Sequence, residues 1–157
     1  MAQISIREYD VKKMFYKNIG KEYSWIQIRE IRDTLWLEDW KKYVIKPDML
    51  FWKRGKRGLL GINLNKTECT DWLKKYFQKQ ENIDWIDGTL DVFLVEEIIN
   101  ISNEYYLSFS QSRDGDTITF SPDGGVDIEE NWDSTKSVIV PVSTELLDNN
   151  IKELIWT

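Results

Sequence analysis

The chain has 157 residues and is acidic, with 21 Lys and Arg against 27 Asp and Glu and a formal net charge of −6. Nucleic acids and anionic membranes favour basic protein surfaces, so this charge argues against both as partners. With one Cys and no His, the chain cannot form a Ser-His-Asp triad or a zinc site of Cys and His ligands. Any metal would be held by carboxylates and phosphates, which suits Mg²⁺.

The start of the sequence, MAQISIREYDVKKMF, carries charged side chains where a secretory signal has an apolar block. The lone Cys69 excludes an internal disulfide. No apolar run reaches the roughly 18 residues that a membrane-spanning helix needs. We therefore expect a cytoplasmic protein.

The first half of the sequence predicts alternating helices and strands. Apolar residues at helical spacing indicate the helices, and strict alternation of apolar and polar residues indicates the strands. In chain order we predict a helix over 4–18, a strand over 23–28, a helix over 33–42, strands over 43–50 and 58–65, and a helix over 68–80 capped by Asn65 or Thr67. On the helix 68–80, an apolar stripe is formed by Cys69, Trp72, Leu73, Tyr76 and Phe77.

The second half is predicted to be rich in β-structure. The nearly continuous apolar run 90–99 ends in acidic residues, as expected of a strand that is buried on both faces and emerges into a cleft. Asp114-Gly115, between two alternating runs, predicts a hairpin. A strand over 137–143 and a helix over 144–156 complete the prediction.

A basic turn with two glycines separates the predicted strands 43–50 and 58–65. Its glycines would let backbone N–H groups approach a ligand while Lys and Arg neutralise phosphate charge. A solvated hairpin tip would have the same composition. Lys46, in the middle of a strand pattern, is out of place unless its side chain points into a polar cleft. The spacings of a Walker loop and of a dinucleotide-binding loop are both missing.

Two carboxylates lie on either side of the end of the strand 90–99. Glu96 belongs to the strand, and Glu104 follows eight residues later. A strand exit can offer its backbone amide and carbonyl to an adenine edge, and a later carboxylate can bind ribose hydroxyls. The basic turn and these carboxylates would then face one ligand.

Three blocks of the sequence carry a resemblance: VIKPDMLFWKRGKRGLLGINL, FLVEEIINISNEYYLS and SPDGGVDIEENWD. In order and spacing they resemble the ATP-grasp region at the start of ATP-citrate lyase and citryl-CoA synthetase, the part similar to the β subunit of succinyl-CoA synthetase. IREYDVKKMF resembles the opening helix of that subunit. The resemblance implies an α+β, ATP-grasp-like fold. Its small α/β lobe would span 21–100, and 1–20 with 101–157 would form an incomplete, mostly antiparallel second β lobe.

The resemblance also implies nucleotide-binding roles. It places Lys46 on the phosphates, Arg54 and Gly55 on the loop that covers them, Glu96 and Ile99 at the hinge that meets the adenine, and Glu104 on the ribose. The hinge often reads Glu-Pro-Phe-Val-Pro in the family but EEIIN here, so the adenine contacts are expected to differ. No catalytic residue or metal ligand is assigned within the chain.

The family's reaction implies ATP and Mg²⁺ as cofactors. The family continues beyond the position matched by Thr157, and the Mg²⁺ ligands and the citrate-binding domain are expected in that later segment. The phosphorylated histidine is expected on a partner subunit or later domain. The chain would therefore bind ATP for phosphoryl transfer to that histidine, before citryl phosphate and citryl-CoA form, without turning over alone.

Two alternatives stay open at this point. One is a catalytically inactive binding or regulatory module derived from an ATP-grasp lobe. The other is an α+β domain whose basic hairpin binds nothing.

Overall fold

The computed structural model describes residues 6–50, 58–83, 86–125, 132–146 and 148–155. The chain divides into two compact units, Met1–Ile99 and Asn100–Thr157. Every strand pair in the described residues is antiparallel, and helices accompany the sheets. The predicted α+β class is confirmed. The grouping of residues 1–20 with 101–157 as one lobe of an ATP-grasp fold stays a prediction.

The first unit is built around a four-stranded sheet of order β1-β6-β2-β3, with a separate β4-β5 ribbon. Its elements are α1 (Glu8–Asn18), β1 (Ile26–Ile28), a 3-10 helix (Ile31–Trp36), β2 (Tyr43–Pro47), β3 (Gly61–Leu64), α2 (Lys66–Tyr76), β4 (Gln80–Ile83), β5 (Ile86–Thr89) and β6 (Phe93–Glu97).

One face of this sheet forms the hydrophobic core with α2. Alternate residues of β2, Tyr43 and Ile45, are buried there with Phe93 and Val95 of β6. β6 lies between β1 and β2, and Leu94, on its opposite face, is also fully buried. This confirms the prediction of a strand buried on both faces.

A reciprocal cap begins α2. The Asn65 side chain accepts a hydrogen bond from the Glu68 amide at 2.9 Å, and the Glu68 carboxylate accepts one from the Asn65 amide at 2.7 Å. Cys69 and Leu73 of the predicted stripe are buried, while Trp72, Tyr76 and Phe77 pack against the core. Burial raises the pKa of the Cys69 thiol to about 11. Cys69 is therefore a small core residue.

The second unit contains a three-stranded sheet of order β7-β8-β9. Its elements are β7 (Tyr106–Gln111), β8 (Gly115–Ser121), a 3-10 helix (Trp132–Ser134), β9 (Lys136–Pro141) and α3 (Asp148–Ile155). Gln111 pairs with Asp116, so the predicted hairpin at Asp114-Gly115 is confirmed. No helix in the described ranges of either unit is long and apolar enough to cross a membrane.

One prediction about local structure was wrong. The helix expected over 33–42 is a 3-10 helix that ends at Trp36, because Leu37 is extended (φ −75°, ψ 144°). The next backbone amide, that of Glu38, donates to the Tyr43 hydroxyl at 2.8 Å instead of to a helical carbonyl. The sequence analysis also missed the β4-β5 ribbon, whose strands have only four residues each.

Candidate functional site

A pocket of about 330 Å³ lies in the first unit, where β2 begins and β6 ends. Val44 pairs with Glu96 and Lys46 pairs with Leu94 across these strands. Because side chains alternate along a strand, all four lie on the sheet face opposite to the α2 core. The pocket is lined by Lys12, Tyr16, Trp25, Val44, Lys46, Glu96, Glu97, Ile98 and Ile99.

Lys46 is held in this pocket by two carboxylates. Its Nζ atom lies 2.6 Å from Glu8 Oε1 and 2.8 Å from Glu96 Oε2. The Lys46 and Glu96 side chains are 16% and 15% exposed, so the contact is largely shielded from water. Lys46, which the sequence predicted to point into a cleft, therefore lies beside two carboxylates in the pocket, opposite to the apolar face of β2.

A second lysine, supplied by α1, completes a cluster of four charges. Lys12 Nζ lies 2.7 Å from Glu8 Oε1 and 2.6 Å from Glu96 Oε1. Each carboxylate thus contacts both ammonium groups. We refer to Glu8, Lys12, Lys46 and Glu96 as the charge cluster, and its formal charge sums to zero.

The contacts within the charge cluster change the pKa values of Glu8 and Lys12. Burial acts to raise the pKa of Glu8, but Lys46 and Lys12 outweigh this effect and lower the Glu8 pKa to about 2. Burial acts to lower the pKa of Lys12, but its hydrogen bonds to Glu8 and Glu96 outweigh this effect and raise it above 10.5. The Glu8–Lys12 ion pair therefore stays charged over the whole neutral range.

Aromatic and polar contacts connect α1 to the rest of the first unit. The Tyr23 ring lies 5.4 Å from the Tyr9 ring and 5.2 Å from the Tyr16 ring of α1. The fully buried Asp48 accepts hydrogen bonds from Gln27 of β1 at 2.9 Å and from the Tyr9 amide at 3.4 Å. The Arg7 guanidinium donates to the Asp48 carbonyl. These contacts position Glu8 and Lys12 against the sheet.

The pocket brings together three of the six residues predicted to bind nucleotide: Lys46, Glu96 and Ile99. The Glu96 carboxylate is engaged with the two lysines. Ile99 is 65% exposed, and the preceding amide, of Ile98, donates to the Lys42 carbonyl at 2.8 Å. The strand exit is therefore fixed by backbone contact, with Ile99 at the pocket wall.

Glu104 lies in the second unit, beside the glycine pair Gly124-Gly125. The Gly124 amide donates to the Glu104 carbonyl at 2.9 Å. A side chain at Gly124 would lie 2.5 Å from the backbone of Tyr105, so this approach requires glycine. Glu104 and Gly124 line a second, more open pocket of about 490 Å³. The predicted convergence of Glu104 with Lys46 on one nucleotide stays a prediction.

Arg54 and Gly55, predicted to cover the phosphates, lie outside the described residues. Glu8 and Lys12 were missed by the sequence analysis. Their spacing of four residues on a predicted helix indicates a mutual ion pair. It does not indicate contact with β2 and β6, which depends on the tertiary fold.

Among the residues that the structure describes, no three Asp, Glu, Cys or His side chains lie close enough together to hold a metal ion. In the charge cluster, both carboxylates are already neutralised by lysines. This donor set does not fit Mg²⁺, which prefers oxygen ligands free of competing cations.

A family model, solved structures and curated relatives each match nearly the whole chain. The family model described as the ATP-citrate synthase ATP-grasp domain matches residues 2–157. The chain belongs to this family. The structure is also similar to that of ATP citrate lyase from Methanothrix soehngenii in complex with citrate and coenzyme A. That similarity has a TM-score of 0.72 and 29% sequence identity, and it covers 90% of this chain and 36% of the other.

Curated members of the ATP-citrate synthase family show the same relationship. ATP-citrate synthase alpha chain protein 1 of Arabidopsis thaliana is 37% identical over 169 residues, covering all of this chain and 40% of that protein. Human ATP-citrate synthase is 30% identical over 140 residues, covering 88% of this chain and 12% of the human protein. The chain thus spans less than half the length of these relatives, and corresponds to the ATP-grasp part of larger proteins.

Proposed function

We propose that this chain binds ATP at the pocket between β2 and β6 and supplies it for phosphoryl transfer in an ATP-citrate synthase. The phosphoryl group would pass to a histidine on a partner chain or domain, and citryl phosphate and citryl-CoA would form afterwards. The family and the pocket support the proposal together, since ATP-grasp domains use ATP and the pocket presents cations beside a strand exit.

The observation that carries the proposal is the position of Lys46. Its ammonium is held at the pocket by two anionic groups, Glu8 and Glu96. A site that already attracts carboxylate oxygens can attract phosphate oxygens, which form charge-assisted hydrogen bonds of the same kind. Lys46 would thus contact the phosphates.

The other proposed nucleotide contacts follow from the position of Lys46. The backbone of Ile99, next to Glu96, would meet the adenine at the strand exit, where peptide groups can pair with its edge. Arg54 and Gly55 would cover the phosphates, and Glu104 would bind the ribose hydroxyls. Positioning and charge neutralisation dominate phosphoryl transfer, so this chain would contribute binding and orientation. Mg²⁺, when bound with ATP, neutralises phosphate charge, and its protein ligands would come from residues beyond this chain.

The test is thermal unfolding of the full chain with and without Mg²⁺ and ATP, for the wild type, Lys46→Met and the control Lys74→Met. A ligand at about ten times its Kd stabilises the native state by about 1.4 kcal/mol, which raises the unfolding midpoint by roughly 4 °C for a protein of this size. We expect that rise for the wild type and for the control, because Lys74 is on exposed α2 surface beside Asp71.

For Lys46→Met we expect at least about a tenfold loss of affinity, and so most of the ATP-induced rise should disappear. The rise is measured against each variant's own unliganded midpoint, which removes any effect of the substitution on stability. An equal rise in all three proteins would contradict the role of Lys46. No rise in the wild type at millimolar ATP would contradict the proposed function itself.

A further inference from the structure

The α1 helix places a second ammonium group beside Lys46. Lys12 and Lys46 both contact the same atom, Glu8 Oε1, at 2.7 and 2.6 Å. The two ammonium groups also contact different oxygens of Glu96, at 2.6 and 2.8 Å. Glu96 is therefore a fixed support from the sheet, and Glu8 brings an anionic oxygen to the point where the two lysines converge.

A phosphate oxygen fits that point chemically. Phosphate oxygens accept charge-assisted hydrogen bonds from lysine, as the Glu8 oxygen does here. An ammonium group has three N–H donors, and each lysine lies beside only two carboxylates in the charge cluster. Replacing Glu8 by a phosphate would leave both lysines paired while Glu96 stays in place.

Glu8 lies outside the packed core. No residue of α1 is buried, and the Glu8 and Lys12 side chains are 23% and 35% exposed, against 15% for Glu96. Rotating Glu8 toward solvent would therefore disturb no packed core. Lys12 already lines the pocket together with Lys46, so it would not need to move to meet a ligand there.

We propose that Lys12 is a second phosphate-binding residue, and that the Glu8 carboxylate occupies the place of a phosphate oxygen until a nucleotide displaces it. This inference rests on the proposed function, since it assigns a further residue to the same ATP site. Glu8 would then compete with the nucleotide phosphates for Lys12 and Lys46. With Glu8 in place the cluster is neutral, and with Glu8 displaced it has a charge of +1 that favours a polyphosphate.

The experiment measures binding to the full chain by isothermal titration calorimetry, well below the unfolding midpoint of each variant. The probes are ATP with Mg²⁺, inorganic tripolyphosphate and adenosine. The variants are Lys12→Met, Lys12→Arg, Glu8→Gln and Lys46→Met. Lys17→Met is the matched control, because it removes the same charge from an exposed position of the same helix.

We expect Lys12→Met to weaken ATP and tripolyphosphate binding about tenfold, with adenosine affinity unchanged. Lys12→Arg should keep most of the affinity, because the guanidinium also donates to phosphate. Glu8→Gln should tighten tripolyphosphate binding severalfold by removing the competing carboxylate. Lys17→Met should bind all three probes as the wild type does.

Three outcomes separate the inference from the proposed function. If Lys46→Met abolishes ATP binding while Lys12→Met and Glu8→Gln leave it unchanged, Lys12 is only a structural counter-ion and the inference fails alone. If Lys12→Met weakens adenosine as much as tripolyphosphate, its effect is a general distortion of the pocket, which also overturns the inference. If ATP does not bind the wild type, the proposed function fails first.

Discussion

The Glu8 carboxylate forms one ion pair with Lys46 of β2 and another with Lys12 of its own helix, α1. Because these contacts favour the ionised form, the pKa of Glu8 in the folded chain, about 2, lies below the ordinary 4.5. A group with a lowered folded pKa stabilises the native state above its unfolded pKa and loses that effect as pH falls toward the folded value. The Glu8 contribution should therefore be complete near neutral pH and should disappear between about pH 5 and pH 2.

We expect Glu8→Gln to lower the free energy of unfolding at pH 7 by about 2 kcal/mol, and the difference from the wild type to shrink as pH falls through this window. Urea unfolding at pH 7 and at pH 3 measures it. Glu22→Gln is the control, because this substitution removes the same charge from an exposed position. An equal difference in the free energy of unfolding at both pH values would show that Glu8 stabilises the chain through contacts that do not depend on its charge.

At the scale of elements, Gly115 begins β8 at a point where no side chain fits. Its φ is +147°, and an added Cβ would lie 2.2 Å from the Val140 carbonyl oxygen and 2.8 Å from Pro141 Cα. Both are backbone atoms of β9, so they cannot rotate away. Gly88, in β5, has no atom within 4 Å of the same position.

Gly115→Ala should therefore destabilise the chain by about 3 kcal/mol through steric overlap, whereas Gly88→Ala should change stability by less than about 1 kcal/mol. Urea denaturation followed by circular dichroism compares the two. Equal effects would mean that the β8-β9 strands separate at little cost, contrary to the pairing of Gly115 with Pro141.

Local signals explain which elements could be predicted. The stripe on α2, its cap at Asn65 and the hairpin before Gly115 depend on neighbouring residues, so each is visible in the sequence. The helix predicted over 33–42 was wrong because Leu37 is extended and the Glu38 amide donates to the Tyr43 hydroxyl instead of to a helical carbonyl. The sequence also identified Lys46 as unusual, but its partner Glu8 is 38 residues away and Lys12 is 84 residues from Glu96. Such contacts form only when the chain folds, and a single sequence does not record them.

At the scale of the whole molecule, the chain lacks the acceptor that the proposed reaction requires. It has no histidine and spans 40% of its Arabidopsis relative. We expect the purified chain to bind ATP without acquiring acid-labile phosphate, and to release no ADP above the uncatalysed rate. Incubation with γ-labelled ATP and Mg²⁺ measures both. Mg²⁺-dependent ADP release would contradict this expectation and would place a complete phosphoryl-transfer site within the chain.

The central claim is that ATP binds where β2 begins and β6 ends. Titration of the isotope-labelled chain with Mg²⁺ and ATP, followed by amide chemical shifts in NMR spectra, tests it most directly. We predict that the largest shifts in the first unit occur at residues 44–46 and 96–99 and at Glu8 and Lys12, and that Lys46→Met reduces them. Saturable ATP binding that leaves these amides unshifted would contradict the claim.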